Sequence, residues 1–511
     1  MSTQKRISAV ALLLSASLIV SRMLGFVRDA VISYRMGAGA ETDAYHAAFF
    51  LPDLFQYFLA GGALSITFIP LFSRRLAAGE QADGWKLFST IVSVLGSLLA
   101  ASLVAAWVLA PMLIEAWYVD FSPEQVERTV ALTRIVLPGP LFFLVGGLLN
   151  ATEMAADRFT AAALGPLVYN LCIILGGLLL EPFVGAAGFS WGALVGVVLG
   201  PFLIPLLYAR RDVVFSWRFE PTDTDMRRYL ALAFPLMAGV TLIFFDERLC
   251  QRYAGTEGAI TWLNNARRLL LVPVGIIGQS IGQAALPFLA RLNAESKHDV
   301  FEDTLSNTVR ASAALSSFAA MALGAAALPI VALVFGRGAY TATDVAQTGA
   351  VLAILAAALP AWSVQAVALR GFYAREQMWP PMILGSVIVA LTWPLYPTLS
   401  ARFGVTGVAT ASAIALSINA LSIVVLYRVM HGGPVLTRGL RGLLEGALAA
   451  AAPTALCVWG FNRIETFETQ PAILFAAMAA AYALLGLPIL LAVGGPAAAA
   501  VRRKLSRVFR R

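Results

Sequence analysis

Two apolar stretches of this sequence carry fixed charge where a membrane-spanning helix normally has none. Both contain arginines together with acidic residues: Arg22, Arg28 and Asp29 within residues 7–34, and Asp246, Glu247, Arg248, Arg267 and Arg268 within residues 240–279. An arginine at the centre of a bilayer costs about 2.5–3.5 kcal/mol on insertion scales. Charge kept at that cost predicts a water-filled cavity that receives an anionic substrate, and it favours transport over passive anchoring.

The spacing of the first two arginines limits what they can do together. Arg22 and Arg28 are six helical positions apart, so the two side chains are about 120° apart around the axis and about 9 Å apart along it. They cannot form one clamp, but they can line a wide cavity at two depths. Gly25, between them, permits a close backbone approach or a kink. The planar guanidinium suits a phosphate because it offers paired hydrogen bonds and stays charged at any pH.

Internal ion pairs are the alternative explanation for these arginines. Arg22 and Arg28 could pair with Asp29, Asp43 or Asp53. Counting does not decide the question, because the arginines in the charged spans exceed the acids by only one before Asp43 is included. The transport interpretation requires guanidinium groups that face an aqueous space. It would fail if these side chains were locked in carboxylate pairs, or if they pointed to the lipid headgroups with no hollow between the lobes.

The composition is that of an integral membrane protein built from helices. Hydrophobic residues make up 59% and charged residues 13% of the 511 residues, and the mean hydropathy is +0.78. Soluble domains have about 25% charged residues, and barrel strands alternate over about 10 residues. The sequence therefore predicts an all-α fold of about fourteen spans, near residues 7–34, 43–72, 87–117, 130–154, 159–180, 187–209, 227–252, 260–290, 307–335, 346–373, 380–401, 405–428, 441–461 and 471–494.

The basic residues predict the orientation of these spans. Lys and Arg concentrate in the loops of one side, among them residues 74–75, 210–211 and 227–228, and in the tail 502–511. By the positive-inside rule that side is cytoplasmic, so both termini are expected there. The basic tail predicts contact with anionic membrane lipids rather than with nucleic acid. Scattered cysteines and histidines predict no metal site, and no phosphate-binding loop motif is present.

The sequence contains an internal repeat. A shift of 217 residues aligns Asp29 with Asp246 and Gly61 with Gly278, and a shift of 219 aligns Gly185 with Gly404. Six helices per repeat give two lobes of the same orientation, an arrangement that transporters use to bind substrate between the halves. The predicted divisions are a first lobe at 1–212, a cytoplasmic linker at 213–226, a second lobe at 227–430, and two extra helices with the basic tail at 431–511.

Helix-breaking residues recur in corresponding spans of the two halves. The second span has Pro52, Gly61, Gly62 and Pro70, and the eighth has Pro273, Gly275, Gly278, Gly282 and Pro287. Interrupted helices at matching positions point to a binding site at the lobe interface. Close helix packing is the other explanation for the glycines.

Several motifs resemble those of the MurJ (MviN) family. They are S-R-M-L-G-F-V-R-D-A, G-A-G-A-E-T-D-A-Y, L-P-D-L-F and G-A-L-S-I-T-F-I-P-L-F in the first half, and D-E-R-L, G-A-I-T-W-L-N-N-A-R-R-L and V-P-V-G-I-I-G-Q-S-I-G-Q-A-A-L-P in the second. The resemblance implies a fourteen-helix flippase with a cationic cavity and a tail-binding groove at its last two helices. The implied substrate is lipid II, the undecaprenyl-pyrophosphate-linked disaccharide pentapeptide, moved to the outer leaflet of the bacterial cytoplasmic membrane for peptidoglycan synthesis, with the cell-wall machinery as a further expected partner.

The sequence departs from that family pattern at two places. Where many members have an arginine and a glutamate in the second span, this chain has Gln56–Tyr57 and Gly61. Where members often have Asn or Asp before the last arginine of the second-half motif, it has Arg267. We hypothesise that Arg267 replaces the positive charge lost from the second span, since spans two and eight are equivalent in the repeat.

These arguments assign roles to two sets of residues. Substrate binding is assigned to Arg22, Arg28, Asp29, Asp43, Arg267 and Arg268, and lining or gating of the cavity to Gly25, Asp53, Gly61, Gly62, Asp246, Arg248 and Gly278. No cofactor is expected, although a coupling cation could bind at Asp246 with Asn419. The alternatives are an exporter of another polyprenyl-linked glycan, a drug/cation antiporter of the same superfamily, and a membrane enzyme acting on polyprenyl phosphates, which the short loops disfavour.

Overall fold

The structure, a computed structural model, describes residues 3–60, 63–238, 242–461, 470–493 and 495. Every regular element within those ranges is a helix, as the sequence predicts. The chain divides into two compact units, Met1–Val240 (unit 1) and Thr241–Arg511 (unit 2). This division falls inside the seventh predicted span, so the first helix of that span lies with unit 1. Gly61, Gly62 and the basic tail lie outside the described residues.

Unit 1 contains eleven helices in its described ranges, and one of them continues through a π-helical segment, Val198–Leu203. The helices are α1 (Thr3–Met36), α2 (Ala40–Ala48), α3 (Phe50–Ala60), α4 (Ala63–Ala77), α5 (Gln81–Trp117), α6 (Pro123–Val136), α7 (Gly139–Ala155), α8 (Thr160–Val184), α9 (Ala187–Val197), α10 (Ile204–Ala209) and α11 (Thr224–Ala238).

Unit 2 contains twelve helices in its described ranges, with π-helical segments at Val274–Gln279 and Tyr482–Gly486. The helices are α12 (Leu242–Arg252), α13 (Ala259–Pro273), α14 (Ser280–Ala294), α15 (His298–Ala325), α16 (Ala327–Val334), α17 (Ala342–Ala356), α18 (Leu359–Ala374), α19 (Trp379–Thr392), α20 (Leu395–His431), α21 (Val435–Phe461), α22 (Pro471–Ala481) and α23 (Leu487–Val493).

The helices follow the order of the predicted spans. Among the described residues, eight helices are long and apolar enough to cross a membrane. Two further spans are bent pairs, α15 with α16 at 68° and α17 with α18 at 44°. The shorter apolar helix α19 corresponds to the eleventh predicted span.

The backbone repeats itself between the two units. Gly185 ends α8 at φ 61° and ψ −144°, and Gly404 interrupts α20 at φ 57° and ψ −139°. Asp157 in unit 1 and Glu376 in unit 2 each adopt a left-handed backbone conformation, with φ 61° and 59°. Such angles are uncommon for residues with a side chain. Both pairs are 219 residues apart, so the structure supports the register found in the sequence.

Glycines bring α8 and α9 together in unit 1. A Cβ atom on Gly176 would lie 2.6 Å from Gly192 Cα, and one on Gly177 would overlap the ring of Phe189. Phe189 is fully buried with Ile32 of α1 and Tyr45 of α2. This core fixes α1 against α8, and it therefore sets the position of the charged residues near the end of α1.

The last helices of the chain are part of unit 2 and pack against its other helices. Gly442 and Gly446 of α21 lie against the backbone of α15, because a Cβ on either would come within 2.3 Å of a carbonyl oxygen of that helix. Arg310 of α15 and Glu445 of α21 form a nearly buried ion pair at the same contact.

Candidate functional site

Arg28 is half-buried in unit 1 and is held from two sides. Its Nε donates to Asp29 Oδ1 at 2.9 Å, and its Nη1 donates to Asn170 Oδ1 of α8 at 3.2 Å. Asn170 in turn donates from Nδ2 to the carbonyl of Pro166 at 3.0 Å, which turns its amide oxygen towards the arginine. Arg28 therefore has a fixed orientation, and the ion pair with Asp29 is the alternative that the sequence left open.

Arg22 differs from Arg28 in its surroundings. It is exposed, and it makes no ion pair with any residue that the structure describes. The helix α1 continues through Gly25 without a break, so Gly25 causes no kink. A Cβ on Gly25 would lie 3.9 Å from Asn170 Oδ1, so the missing side chain leaves room beside that amide.

The other acidic residues assigned in unit 1 lie near helix starts. Asp43 is buried in the first turn of α2, where its N–H donates to the carbonyl of Gly39 at 2.9 Å. Asp53 is half-buried in the first turn of α3. Carboxylates are stabilised at helix N-termini by the helix dipole, so both positions have a local structural explanation, and their part in substrate binding or gating stays a prediction.

Arg267 lies in a closed polar network inside unit 2. Its Nη2 is 2.5 Å from Asp246 Oδ2, and the two side chains are 8% and 0% exposed. Ser412 donates to the same Asp246 oxygen at 3.0 Å, and Tyr396 donates to the other. Cys250 Sγ lies 3.5 Å from the guanidinium. The network connects α12, α13 and α20.

This placement corrects the expectation that Arg267 supplies free positive charge. Asp246 neutralises Arg267, so the pair adds no net charge, and its burial keeps the guanidinium away from solvent. The next residue, Arg268, is exposed on another side of α13. Among the arginines assigned to substrate binding, Arg22 and Arg268 are exposed, whereas Arg28 is half-buried and Arg267 is buried.

Arg248 is also buried rather than open to a cavity. Only 4% of the residue is exposed, and its Nη1 donates to Gln251 at 2.9 Å. Its guanidinium carbon lies 5.2 Å from the centre of the Phe244 ring. These contacts stabilise the charged turn of α12 from within, and any gating role remains a prediction.

The predicted interruption of the eighth span is a π-helical segment, Val274–Gln279, between α13 and α14. Gly278 lies in it against α18, where a Cβ would be 2.8 Å from Ser363 Cα. Gly282 packs similarly, since a Cβ on it would lie 3.1 Å from the carbonyl oxygen of Ala366. Close packing, the second explanation offered for these glycines, accounts for both contacts.

The structure gives a specific environment to the residue proposed for a coupling cation. Asp246 is held by Arg267, Ser412 and Tyr396, whereas Asn419 lies two turns beyond Ser412 on α20. Within the described residues, no group of three or more His, Cys, Asp or Glu side chains could hold a metal ion.

Comparison with known proteins identifies the family. The sequence model described as "Lipid II flippase MurJ" matches residues 32–477. The chain belongs to this family. Arg22 and Arg28 precede the matched residues, so their assignment depends on the motif in α1.

Curated members of the MurJ family align over most of the chain. A probable lipid II flippase MurJ of Rhizobium tropici is 31% identical over 438 residues, which cover 80% of this chain and 79% of that protein. Another, from Rhizobium meliloti (strain 1021), is 28% identical over 512 residues, covering 95% and 94%.

Solved structures show the same fold. A lipid II flippase MurJ in an inward closed conformation aligns with a TM-score of 0.78 at 20% identity, covering 93% of this chain and 98% of that one. An inward-facing multidrug resistance transporter of the MATE family aligns with a TM-score of 0.65 at 15% identity, covering 84% and 95%.

Sequence reasoning missed some partners of the charged residues. Tyr396 and Ser412 contact Asp246 from more than 140 positions away, and each is a common residue in an apolar helix with no motif around it. The contact between Asn170 and Arg28 is likewise absent from the sequence-based expectations, because 142 residues separate the two.

Proposed function

We propose that this protein translocates lipid II, the undecaprenyl-pyrophosphate-linked disaccharide pentapeptide, from the inner to the outer leaflet of the bacterial cytoplasmic membrane. Membership of the MurJ family supports this function, and the fold is shared with a solved MurJ flippase. The protein acts as a transporter, not as an enzyme, with both termini in the cytoplasm.

The observation that carries the proposal is the fixed, charged Arg28 in the apolar helix α1. Asp29 occupies one edge of its guanidinium and Asn170 contacts another, so these two residues act as positioning groups. Exchange of the neutral Asn170 oxygen for a phosphate oxygen would cost little, because a charged acceptor forms the stronger hydrogen bond. Arg28, with the exposed Arg22 of the same helix, then neutralises the pyrophosphate, while Arg267 holds α13 in place within unit 2.

The direction of transport follows from charge. A lipid pyrophosphate cannot cross hydrocarbon alone, because burying unpaired charge is prohibitive. Alternating access lets the arginines replace water around the head group while the polyprenyl tail stays in lipid. An inside-negative potential favours outward movement of negative charge by about 2.3 kcal/mol per charge per 100 mV.

The first prediction concerns Arg28. In cells whose only lipid II flippase is this protein, Arg28→Ala is expected to abolish growth while the protein still accumulates in the membrane. Arg28→Lys should support weak growth, because lysine keeps the charge but loses the planar fork. The amount of lipid II exposed on the outer leaflet, measured with an impermeant probe, should decrease in these variants in parallel with growth.

Arg35→Ala provides the matched control on the same helix. Arg35 lies about two turns from Arg28 and pairs with Glu181 at 2.7 Å, outside the proposed binding set. The Arg35→Ala variant should therefore support growth as the wild type does. If Arg28→Ala complements as well as wild type, the assignment of this site is wrong.

A lipid analysis distinguishes lipid II from another polyprenyl-linked glycan. Depletion of the protein should cause lipid II to accumulate on the inner leaflet. Accumulation of a different lipid-linked glycan, with normal lipid II exposure, would overturn the substrate assignment and leave the family membership intact.

A further inference from the structure

A basic cavity lies in unit 1 where three membrane-length helices end or begin, away from the arginines of α1. It has a volume of about 550 Å³. Its lining residues are Arg158, Leu207, Tyr208, Arg210, Arg211 and Asp212. They come from the turn between α7 and α8 and from the end of α10. By the positive-inside argument this is the cytoplasmic boundary of the membrane.

The charge of this cavity is only partly neutralised. Arg158 is anchored by Asp212 at 2.7 Å, and Glu153 lies 3.5 Å from its other terminal nitrogen. The hydrogen bond to Asp212 raises the pKa of Arg158 above its ordinary value, so this arginine stays charged. Arg210 and Arg211 are exposed, and they form no ion pair within the part of the chain that the structure describes. The cavity therefore presents excess positive charge to an anion.

An apolar strap, residues 213–219, follows the cavity along the chain. It is fixed to α5 by two serines one helical turn apart: Ser216 N–H donates to Ser89 Oγ at 3.2 Å, and Arg218 N–H donates to Ser93 Oγ at 3.1 Å. Its large side chains face outward, with exposures of 47–69% for Val214, Phe215, Trp217 and Phe219. Exposed aromatic residues of this kind are typical of the membrane–water interface.

The repeat-related end of unit 2 has a different charge. Its cavity, of about 420 Å³, is lined by Asp299, Glu302 and Asp303 as well as by arginines. Those arginines are paired, Arg375 with Glu302 at 2.6 Å and Arg438 with Asp303 at 2.5 Å. The fold alone therefore does not require a cationic cavity at this position, and the positive charge is particular to unit 1.

We propose that the cavity of unit 1 binds the phosphate of an anionic phospholipid. Arg210 and Arg211 contact the phosphate oxygens, and Arg158 forms the charged floor, held by Asp212. The acyl chains lie along Leu207, Tyr208 and the strap. A lipid fits better than a soluble phosphate because positive charge and exposed apolar side chains meet at the same edge of the membrane.

Native mass spectrometry of the purified full-length protein tests this site. The probes are phosphatidylglycerol, phosphatidylcholine with the same acyl chains, and inorganic phosphate. Wild type should retain phosphatidylglycerol preferentially. Arg210→Gln/Arg211→Gln should weaken that retention about tenfold or more, since each arginine near an anionic lipid surface contributes about 1 kcal/mol, which is about fivefold in affinity. Asp212→Asn should strengthen it, because it removes the negative charge beside Arg158.

Arg227→Gln/Arg228→Gln is the matched control, since these two exposed neighbouring arginines are in the same unit but outside the cavity. This variant should retain phosphatidylglycerol as wild type does. Equal losses in both double variants would mean general attraction to a basic surface and would overturn the proposal. So would unchanged retention in Arg210→Gln/Arg211→Gln, or inorganic phosphate that displaces phosphatidylglycerol, which would identify a site for soluble anions.

Discussion

Arg28 and Arg267 show how differently two arginines beside aspartates can be placed. Arg28 keeps one contact to a neutral amide and remains partly exposed, whereas Arg267 is enclosed with Asp246, Ser412 and Tyr396. The sequence predicted the charges and their depth from helical spacing. It could not predict these partners, because Asn170 and Ser412 are 142 and 145 residues away from the arginines that they contact.

A prediction at this scale concerns the stability of the buried pair. Asp246→Asn or Arg267→Gln alone should each destabilise the protein by about 3–5 kcal/mol, because each leaves an uncompensated buried charge. The double variant Asp246→Leu/Arg267→Met should recover most of that loss, since an apolar pair of similar size needs no desolvation. Thermal unfolding of the purified variants measures these differences.

Asp83→Asn is the control for that experiment. Asp83 pairs with Lys86 at 2.6 Å, but both side chains are about half exposed, so its loss should leave the unfolding temperature unchanged. Additive losses in the double variant would show that Asp246 and Arg267 do not act as a pair.

At the scale of helices, glycines determine which elements approach closely. The predicted spans leave Gly185 and Gly404 between helices, and in the structure Gly185 ends α8 and Gly404 interrupts α20. The sequence-based prediction treated residues 307–335 as one span and so missed the 68° bend between α15 and α16, although Gly324 and Pro329 flank that bend. It also missed the packing of α21 on α15, since small residues in an apolar helix do not identify their partner.

The glycines of α21 allow a direct test of that packing. Gly446→Ala would place a Cβ 2.1 Å from the carbonyl oxygen of Ala314, so it should destabilise unit 2 by about 1–3 kcal/mol through overpacking. Gly460→Ala on the same helix meets no atom within 4 Å and should be neutral or slightly stabilising. Loss of stability in both variants would indicate an effect on helix α21 itself rather than on its contact with α15.

For the whole molecule, hydropathy and basic residues carried most of the predictive information. Long apolar segments are required by the thickness of the bilayer, so span order follows from sequence even where tertiary contacts do not. The predicted family and helical fold are confirmed by the comparisons. The orientation of the chain in the membrane stays a prediction, because it depends on loop charges alone.

Cysteine labelling in spheroplasts tests this orientation. Ala339→Cys lies in an exposed loop predicted to face outward, and Lys297→Cys lies in an exposed turn predicted to face the cytoplasm. An impermeant maleimide should label Ala339→Cys in intact spheroplasts and Lys297→Cys only after lysis. The native Cys250 and Cys457 are buried, and Cys172 is half-buried, so their background should be low. The reverse pattern would invert the topology.

The ion pair between α15 and α21 has a consequence for biosynthesis. Arg310 and its ion-pair partner Glu445 are 135 residues apart in the chain. At bacterial translation speeds, Glu445 is therefore synthesised roughly 10 s after Arg310. During that interval an unneutralised guanidinium stands in a newly inserted helix. A nascent chain that stops before residue 445 would keep this charge uncovered, and membrane quality-control proteases would have a means of distinguishing it from the finished protein.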